Sequence, residues 1–109
     1  MCIFCKIVKG EIPNKTVLEN DNFLAFEDIN PQSKIHIVVI PKIHVESFAD
    51  VSGDVMLKMT PFIQEVTKKL NINSDGYRLI TNIGANGGQE VPHLHFHILA
   101  GQRVGKLVG

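Results

Sequence analysis

This sequence has no excess of charge to offer a partner. Eleven lysines and arginines cancel eleven aspartates and glutamates, and no basic run is longer than the pair Lys68-Lys69. A nucleic-acid polymer is therefore not an expected partner, because such proteins display a basic patch or stripe. No stretch approaches the roughly 20 apolar residues that a membrane-spanning helix needs. Met1 to Lys6 lacks the basic region and apolar run of a secretion signal. These absences lead us to expect a soluble cytoplasmic protein with no membrane partner. Cysteine is scarce: Cys2 and Cys5 stand three residues apart, and in such a compartment they point to thiols or metal, not to a structural disulfide. There is no internal repeat, low-complexity tract or linker. At 109 residues, 1–109 reads as one domain, with 101–109 as a glycine-punctuated tail.

What is present is a row of histidines. His93, His95 and His97 alternate with Leu94, Phe96 and Ile98, which is the two-residue period of a β-strand. A strand puts the imidazoles on one face and the apolar side chains on the other, whereas a helix would spread the rings over about 200° of its circumference. Three readings fit the row. It is a merely polar strand face, or a set of zinc ligands, or a nucleophile whose neighbours fix its tautomer and share developing charge. Just upstream lie Gly84, Gly87 and Gly88. They suit a plain hairpin loop or a backbone concavity for an anion, but they lack the Gly-x-x-x-x-Gly-Lys-Ser/Thr pattern of a nucleoside-triphosphate loop.

Along the chain, Cys2-x-x-Cys5 is half a metal site, a redox pair or neither. A closed zinc site needs two more ligands, for which His44 and His93 are candidates. Val17 to Glu19 and Phe23 to Asp28 read as strands about the turn Asn20-Asp21-Asn22. Asp28, at a strand end, either caps a turn or accepts hydrogen bonds from two hydroxyls such as a ribose offers. Ile35 to Ile40 is apolar on both faces except for His36, so it should be a central strand, with His36 a satisfied buried histidine or a partner of the row. Between Val51 and Asn71, Val55, Met56, Met59, Phe62, Ile63, Val66 and Leu70 recur at helical spacing, with Ser52 as cap. Pro61 either kinks this helix or starts a second one capped by Thr60. Asn73 to Gly76 should end it, and Tyr77 to Asn82 should form another strand.

His93-Leu94-His95-Phe96-His97-Ile98-Leu99 resembles the His-x-His-x-His signature of the histidine triad (HIT) family of nucleotide hydrolases and transferases. Ile3 to Val8, Glu11-Ile12-Pro13, Phe26 to Gln32, His36 to Lys42, Tyr77-Arg78-Leu79 and Gly87-Gly88-Gln89 extend the likeness over nearly the whole chain and resemble the Hint branch. The resemblance implies an α+β fold: about five antiparallel strands, one long helix and short helical pieces. It also implies a homodimer whose C-terminal segments reach toward the partner's site.

In activity, the resemblance implies cleavage of adenosine 5′-phosphoramidates and related AMP conjugates, with His95 attacking phosphorus to give a covalent His-AMP intermediate. His97 would contact the phosphate oxygens or leaving group, and His93 and His36 would support the row. Phe26, Asp28 and Ile29 match the nucleoside pocket, with Ile3, Phe4 and Ile7 against the base. Asn82 and the backbone near Gly88 fall beside the phosphate, and Glu90 on the leaving-group side. Glu27 stands where many Hint relatives carry histidine. Zinc held by Cys2, Cys5, His44 and His93 would be structural, and no organic cofactor is implied. The alternatives are a dinucleoside polyphosphate hydrolase of Fhit type, a non-catalytic nucleotide-binding module, and a small protein whose zinc is its function.

Overall fold

A run as apolar as Ile35 to Ile40 needs cover on both faces, and it occupies the middle of the sheet. The computed structural model describes residues 2–105, so 106–109 of the expected tail lie outside the described residues. The elements are α1 (Ile3–Val8), β1 (Thr16–Glu19), β2 (Phe23–Glu27), β3 (Ile35–Pro41), α2 (Gly53–Lys69), β4 (Arg78–Ile80) and β5 (Phe96–Ala100). The strands form one antiparallel sheet in the order β1-β2-β3-β5-β4. This is the α+β architecture expected.

Each face of the sheet has its own helix. Phe23, Ala25, Ile37, Val39, Phe96 and Ile98 point to one side and pack with Met59, Phe62, Ile63 and Val66 of α2. Phe23 and Phe62 meet with ring centroids 5.5 Å apart. Burying a side chain such as Ile63 contributes about 1.5–3 kcal/mol, so this cluster is the main source of stability. Leu24, Phe26, Val38 and Ile40 point to the opposite side, where Phe4, Ile7 and Val8 of α1 cover them. His97 sits opposite Val38 in the ladder, so it belongs to the α1 face.

The helix ends follow from local chemistry. The Ser52 hydroxyl accepts the Val55 N–H at 3.2 Å, and Asp54 and the pair Lys68-Lys69 complement the dipole of α2. Pro61 neither divides α2 nor starts a second helix: the element runs through it as one 17-residue helix. The N–H that proline lacks would have met the carbonyl of Leu57, and Leu57 is 74% exposed, on the side where an unpaired carbonyl costs least. The end comes before the expected 73–76 segment. Asn71 adopts φ 56, its N–H donates to the Lys68 carbonyl, and the Ile72 N–H donates to the Thr67 carbonyl, a Schellman closure. Gly10 closes α1 in the same way at φ 80, with bonds from Gly10 to Ile7 and from Glu11 to Lys6.

Three strands are shorter than their hydrophobic patterns. Asp28 falls just past β2, where its carboxylate accepts the Asn30 N–H at 2.8 Å, and β4 keeps only Arg78 to Ile80 of the Tyr77 to Asn82 run. The ladder of β5 begins at Phe96, although alternation continues back to His93. Upstream of it, Leu94 N–H pairs with the Val45 carbonyl of a loop, and Thr81 Oγ1 donates to the His95 carbonyl at 2.7 Å.

Because Asn71 is the one non-glycine residue at positive φ among the described residues, Asn71→Val should destabilise the protein by about 1–2 kcal/mol. Asn71→Gly should be neutral or stabilising. Urea unfolding of both variants checks this, and equal loss in the two would show that the Asn71 side chain, not its backbone angle, matters.

Candidate active site and metal cluster

The chemistry of the histidine row is decided by what each ring nitrogen faces. A carbonyl oxygen only accepts, so a ring nitrogen beside it must carry the proton. His95 Nδ1 lies 2.7 Å from the His93 carbonyl; Nδ1 therefore donates, and in the neutral ring Nε2 keeps its lone pair. His93 Nε2 lies 2.9 Å from the Pro41 carbonyl and donates to it, which leaves Nδ1 as the lone-pair atom. Gln32 N–H donates to His36 Nδ1 at 3.0 Å, so the proton of His36 sits on Nε2. That nitrogen is 2.8 Å from His97 Nδ1 and 3.5 Å from Asp28 Oδ2. His97 Nδ1 must then accept, and the proton of His97 sits on Nε2. One chain of hydrogen bonds sets His36 and His97 in fixed and opposite senses to His95.

Burial disfavours the charged form of three of these rings, His97, His36 and His93. It pushes His97 down to about 4, helped by His95 and His36 and opposed by Asp28. It lowers His36 against the pull of Asp28. It also lowers His93, against the hydrogen bond to Pro41 and with help from His44 and His95.

The row opens into a cavity of about 530 Å³, within the roughly 300–1,000 Å³ of small-molecule sites. Ile3, Phe4, Ile7 and Phe26 make an apolar wall; Asp28, Ile29 and Asn82 line it with Gly88, Glu90, His36, His95 and His97. The structure thus brings together every sequence-named pocket residue around one space. His93 lies behind it, 0% exposed. Phe4 packs edge-on against His95 and Phe26, with centroids 5.0 and 5.8 Å away. Further lining comes from Ile12, Pro13, Asn14, Glu27, Asn30, Gln32, Val38 and Val91.

The glycine loop corrects one expectation. The Gly88 N–H donates to the Ala85 carbonyl, and the Gln89 N–H to the Gly84 carbonyl, so neither forms an open anion concavity. Gly87 is needed for another reason: a Cβ there would lie 2.3 Å from the Ile83 carbonyl oxygen. The Asn82 amide donates to the Gly87 carbonyl at 2.8 Å, which fixes the loop against β4. Gln89 ties the same loop down, donating to the carbonyls of Glu46 and Val91 and accepting the Gly84 N–H. Sequence reasoning assigned no role to Gln89, Thr81, Gln32 or Pro41. The last two act here through backbone atoms, which every residue type shares, so no residue pattern could have marked them.

A second cluster stands behind the row. Cys2 Sγ is 3.3 Å from His93 Nδ1, and Cys5 Sγ is 3.6 Å from His93 Nδ1 and 3.2 Å from His44 Nδ1. His44 Nε2 faces Glu46 Oε1 at 3.4 Å, so the Nδ1 lone pairs of both histidines turn toward the sulfurs. The four donor atoms lie within 4.8 Å of one another. Two sulfurs and two imidazole nitrogens are the donor set of a closed structural zinc site, and the residues fit that ion. Burial, then the hydrogen bond and charge of Cys2, push the Cys5 thiol up, so a cation is what would hold that sulfur as a thiolate. Asp28, His36 and His97 also converge but do not fit a metal. Gln32 occupies His36 Nδ1, so Nε2 retains its proton and has no lone pair to give.

An open antiparallel sheet with a histidine row on one edge of an apolar, carboxylate-tipped cavity is the architecture of histidine triad proteins. The HIT domain model matches residues 9–104, and the chain belongs to the HIT family. It is 52% identical over 103 residues to an uncharacterized HIT-like protein of Helicobacter pylori, covering 94% of this chain and 99% of that one. It is 39% identical over 109 residues to the purine nucleoside phosphoramidase of Escherichia coli, covering 97% and 92%. A HIT family hydrolase from Clostridium thermocellum is 36% identical and superposes with a TM-score of 0.91, covering 98% of this chain and 96% of that one. Among the described residues no helix is long and apolar enough to cross a membrane.

The depressed proton affinities have a consequence for stability. Between pH 6.5 and about 4 the unfolded chain binds a proton that His97 refuses when folded, and His36, lowered too, acts in the same direction. Stability is complete above pH 6.5, where neither state is protonated, and is lost as pH falls through this window. The urea midpoint should be lower at pH 5 than at pH 7, and an unchanged midpoint would contradict a neutral His36-His97 pair.

Proposed function

We propose that this protein is a nucleotide hydrolase that cleaves adenosine 5′-phosphoramidates and related AMP conjugates through a covalent intermediate on His95. The observation that carries the reading is the tautomer of His95: Nδ1 is committed to the His93 carbonyl at 2.7 Å, which leaves an Nε2 lone pair on a ring that lines the cavity. A nucleophile needs that unprotonated nitrogen beside the electrophile.

In this reading the base lies against Ile3, Phe4 and Ile7, and the Asp28 carboxylate accepts the ribose hydroxyls. His95 Nε2 attacks the α-phosphorus; the Nε2–P bond forms while the bond to the amine nitrogen breaks. The amine takes a proton from water as it leaves, and the hydroxide left behind accepts the proton that a second water gives up when it attacks. His97 Nε2–H and the Asn82 amide donate to phosphate oxygens, where the negative charge gathers. They replace the Gly88 N–H in that role, since it is already bonded within its loop. Water then displaces His95 from phosphorus and AMP departs. Zinc held by Cys2, Cys5, His44 and His93 would take no part in these steps; with no open ligand position it would join α1, the loop of His44 and the segment that leads into β5.

The name of the Escherichia coli relative supports a phosphoramidate over the dinucleoside polyphosphate of a Fhit-type enzyme. AMP release from adenosine 5′-phosphoramidate and from a diadenosine polyphosphate, measured side by side, tests the choice. The phosphoramidate should be cleaved faster, and His95→Ala should abolish turnover while still binding AMP. Normal turnover by His95→Ala would remove the covalent mechanism, and silence of the native protein on both compounds would leave a nucleotide-binding module. The same reading carries a homodimer, for which the exposed Leu57, Leu79 and Ile83 offer apolar surface. Sedimentation should give twice the 12.1 kDa chain mass, and a monomer would remove the expected reach of the tail into a partner's site.

A further inference from the structure

The nucleoside wall and the metal cluster share one small helix. Helix α1 is six residues long and none of them is buried. Helices this short are not stable alone, since nucleation outweighs the few bonds they form. Packing supplies part of the remedy, through Phe4, Ile7 and Val8 against Leu24, Phe26, Val38 and Ile40. The other attachment is chemical. Cys2 caps the helix, its sulfur accepting the Cys5 N–H at 3.3 Å, and Cys5 lies within its first turn. Both sulfurs face His93 Nδ1, and Cys5 faces His44 as well. The residues between and beyond these sulfurs, Ile3, Phe4 and Ile7, line the cavity.

His93 joins the two sites a second time. Its ring belongs to the cluster, and its carbonyl accepts the Nδ1–H of His95. Phe4 packs edge-on against both rings, at 5.8 Å from His93 and 5.0 Å from His95.

We propose that the Cys2–Cys5–His44–His93 cluster, loaded with a divalent metal such as zinc, is the clamp that holds α1 as the base-side wall of the nucleotide pocket and so sets its affinity. The inference rests on the nucleotide reading above. The metal donors act as positioning groups: they touch no substrate, and they reach it only through α1 and the His93 backbone.

The test uses AMP binding and amide hydrogen exchange on the zinc-loaded protein, before and after a chelator and again after zinc chloride is restored. Chelation should weaken AMP binding roughly tenfold, the loss that follows if α1 stays docked about a tenth of the time without metal. Exchange should quicken at residues 3–8 while β3 and β5 stay protected, and KM should rise more than kcat falls. Restored zinc should reverse all three.

Faster exchange in α1 with unchanged AMP affinity would overturn the proposal, and so would no change in either. If chelation also exposes β3 and β5, the Cys2→Ser variant decides, because serine keeps the helix cap and removes one metal donor. Weak AMP binding by Cys2→Ser, restored in Cys2→Asp, which can cap and ligate, supports the clamp. Native affinity in Cys2→Ser would reduce Cys2 to a cap and overturn it. Failure of the zinc-loaded protein to bind AMP at all would overturn the nucleotide reading, and the clamp with it.

Discussion

The arrangement of the site depends on one hydrogen bond, from His95 Nδ1 to the carbonyl of His93 at 2.7 Å. It works only because that carbonyl cannot move. The His93 ring is fully buried and held by the Pro41 carbonyl, the next residue is pinned to Val45, and the His95 carbonyl is held by Thr81. These bonds do outside the ladder what strand pairing does inside it. They hold residues 93–95 in place ahead of β5, where the ladder does not reach His93 and His95.

The second constraint is electrical neutrality. Three of the histidines lie in surroundings that disfavour charge, and a protonated His97 could not accept the bond from His36. The fold meets this with an oriented chain that starts at a backbone amide, Gln32 N–H, and ends at the His97 ring. A histidine on a sheet has two nitrogens and two possible tautomers; a backbone donor removes the ambiguity because it cannot reverse its direction. The same logic separates the two candidate metal sites. Where carbonyl or carboxylate acceptors take the far nitrogen, as for His93 and His44, the near lone pair is open to a cation. Where a backbone donor takes it, as for His36, the near nitrogen keeps its proton.

The sheet divides the work by face. The α2 side is filled by Phe62, Ile63, Met59 and Val66 and carries most of the buried surface. The α1 side is thinner, and a short helix covers only part of it. What it leaves uncovered is the cavity.

Much of this was legible in the residues. The two-residue period of His93 to Ile98 implied one chemical face and one core face, and the apolar run Ile35 to Ile40 implied a central strand. The spacing from Val55 to Leu70 implied the long helix. Each signal is periodic, and periodicity survives folding because it reflects which side of an element meets the core. Other features left no such trace. Six residues are too few to show a helical period, and the cap of α1 is a thiol, so Ile3–Val8 did not stand out as a helix. Asn71 ends α2 through its backbone angle, two residues before the more conspicuous Asn73 to Gly76. The glycine loop left a plain hairpin and an anion concavity both open, and only folding shows that Ala85 and Gly84 take two of its N–H groups. By itself, the sequence determined which side chains could share a face and which imidazoles, carboxylates and thiols were present to build a site. Only the tertiary structure decided which nitrogen of each histidine holds its proton, because that depends on Pro41, Gln32 and the His93 backbone, atoms common to every residue and brought near by folding alone.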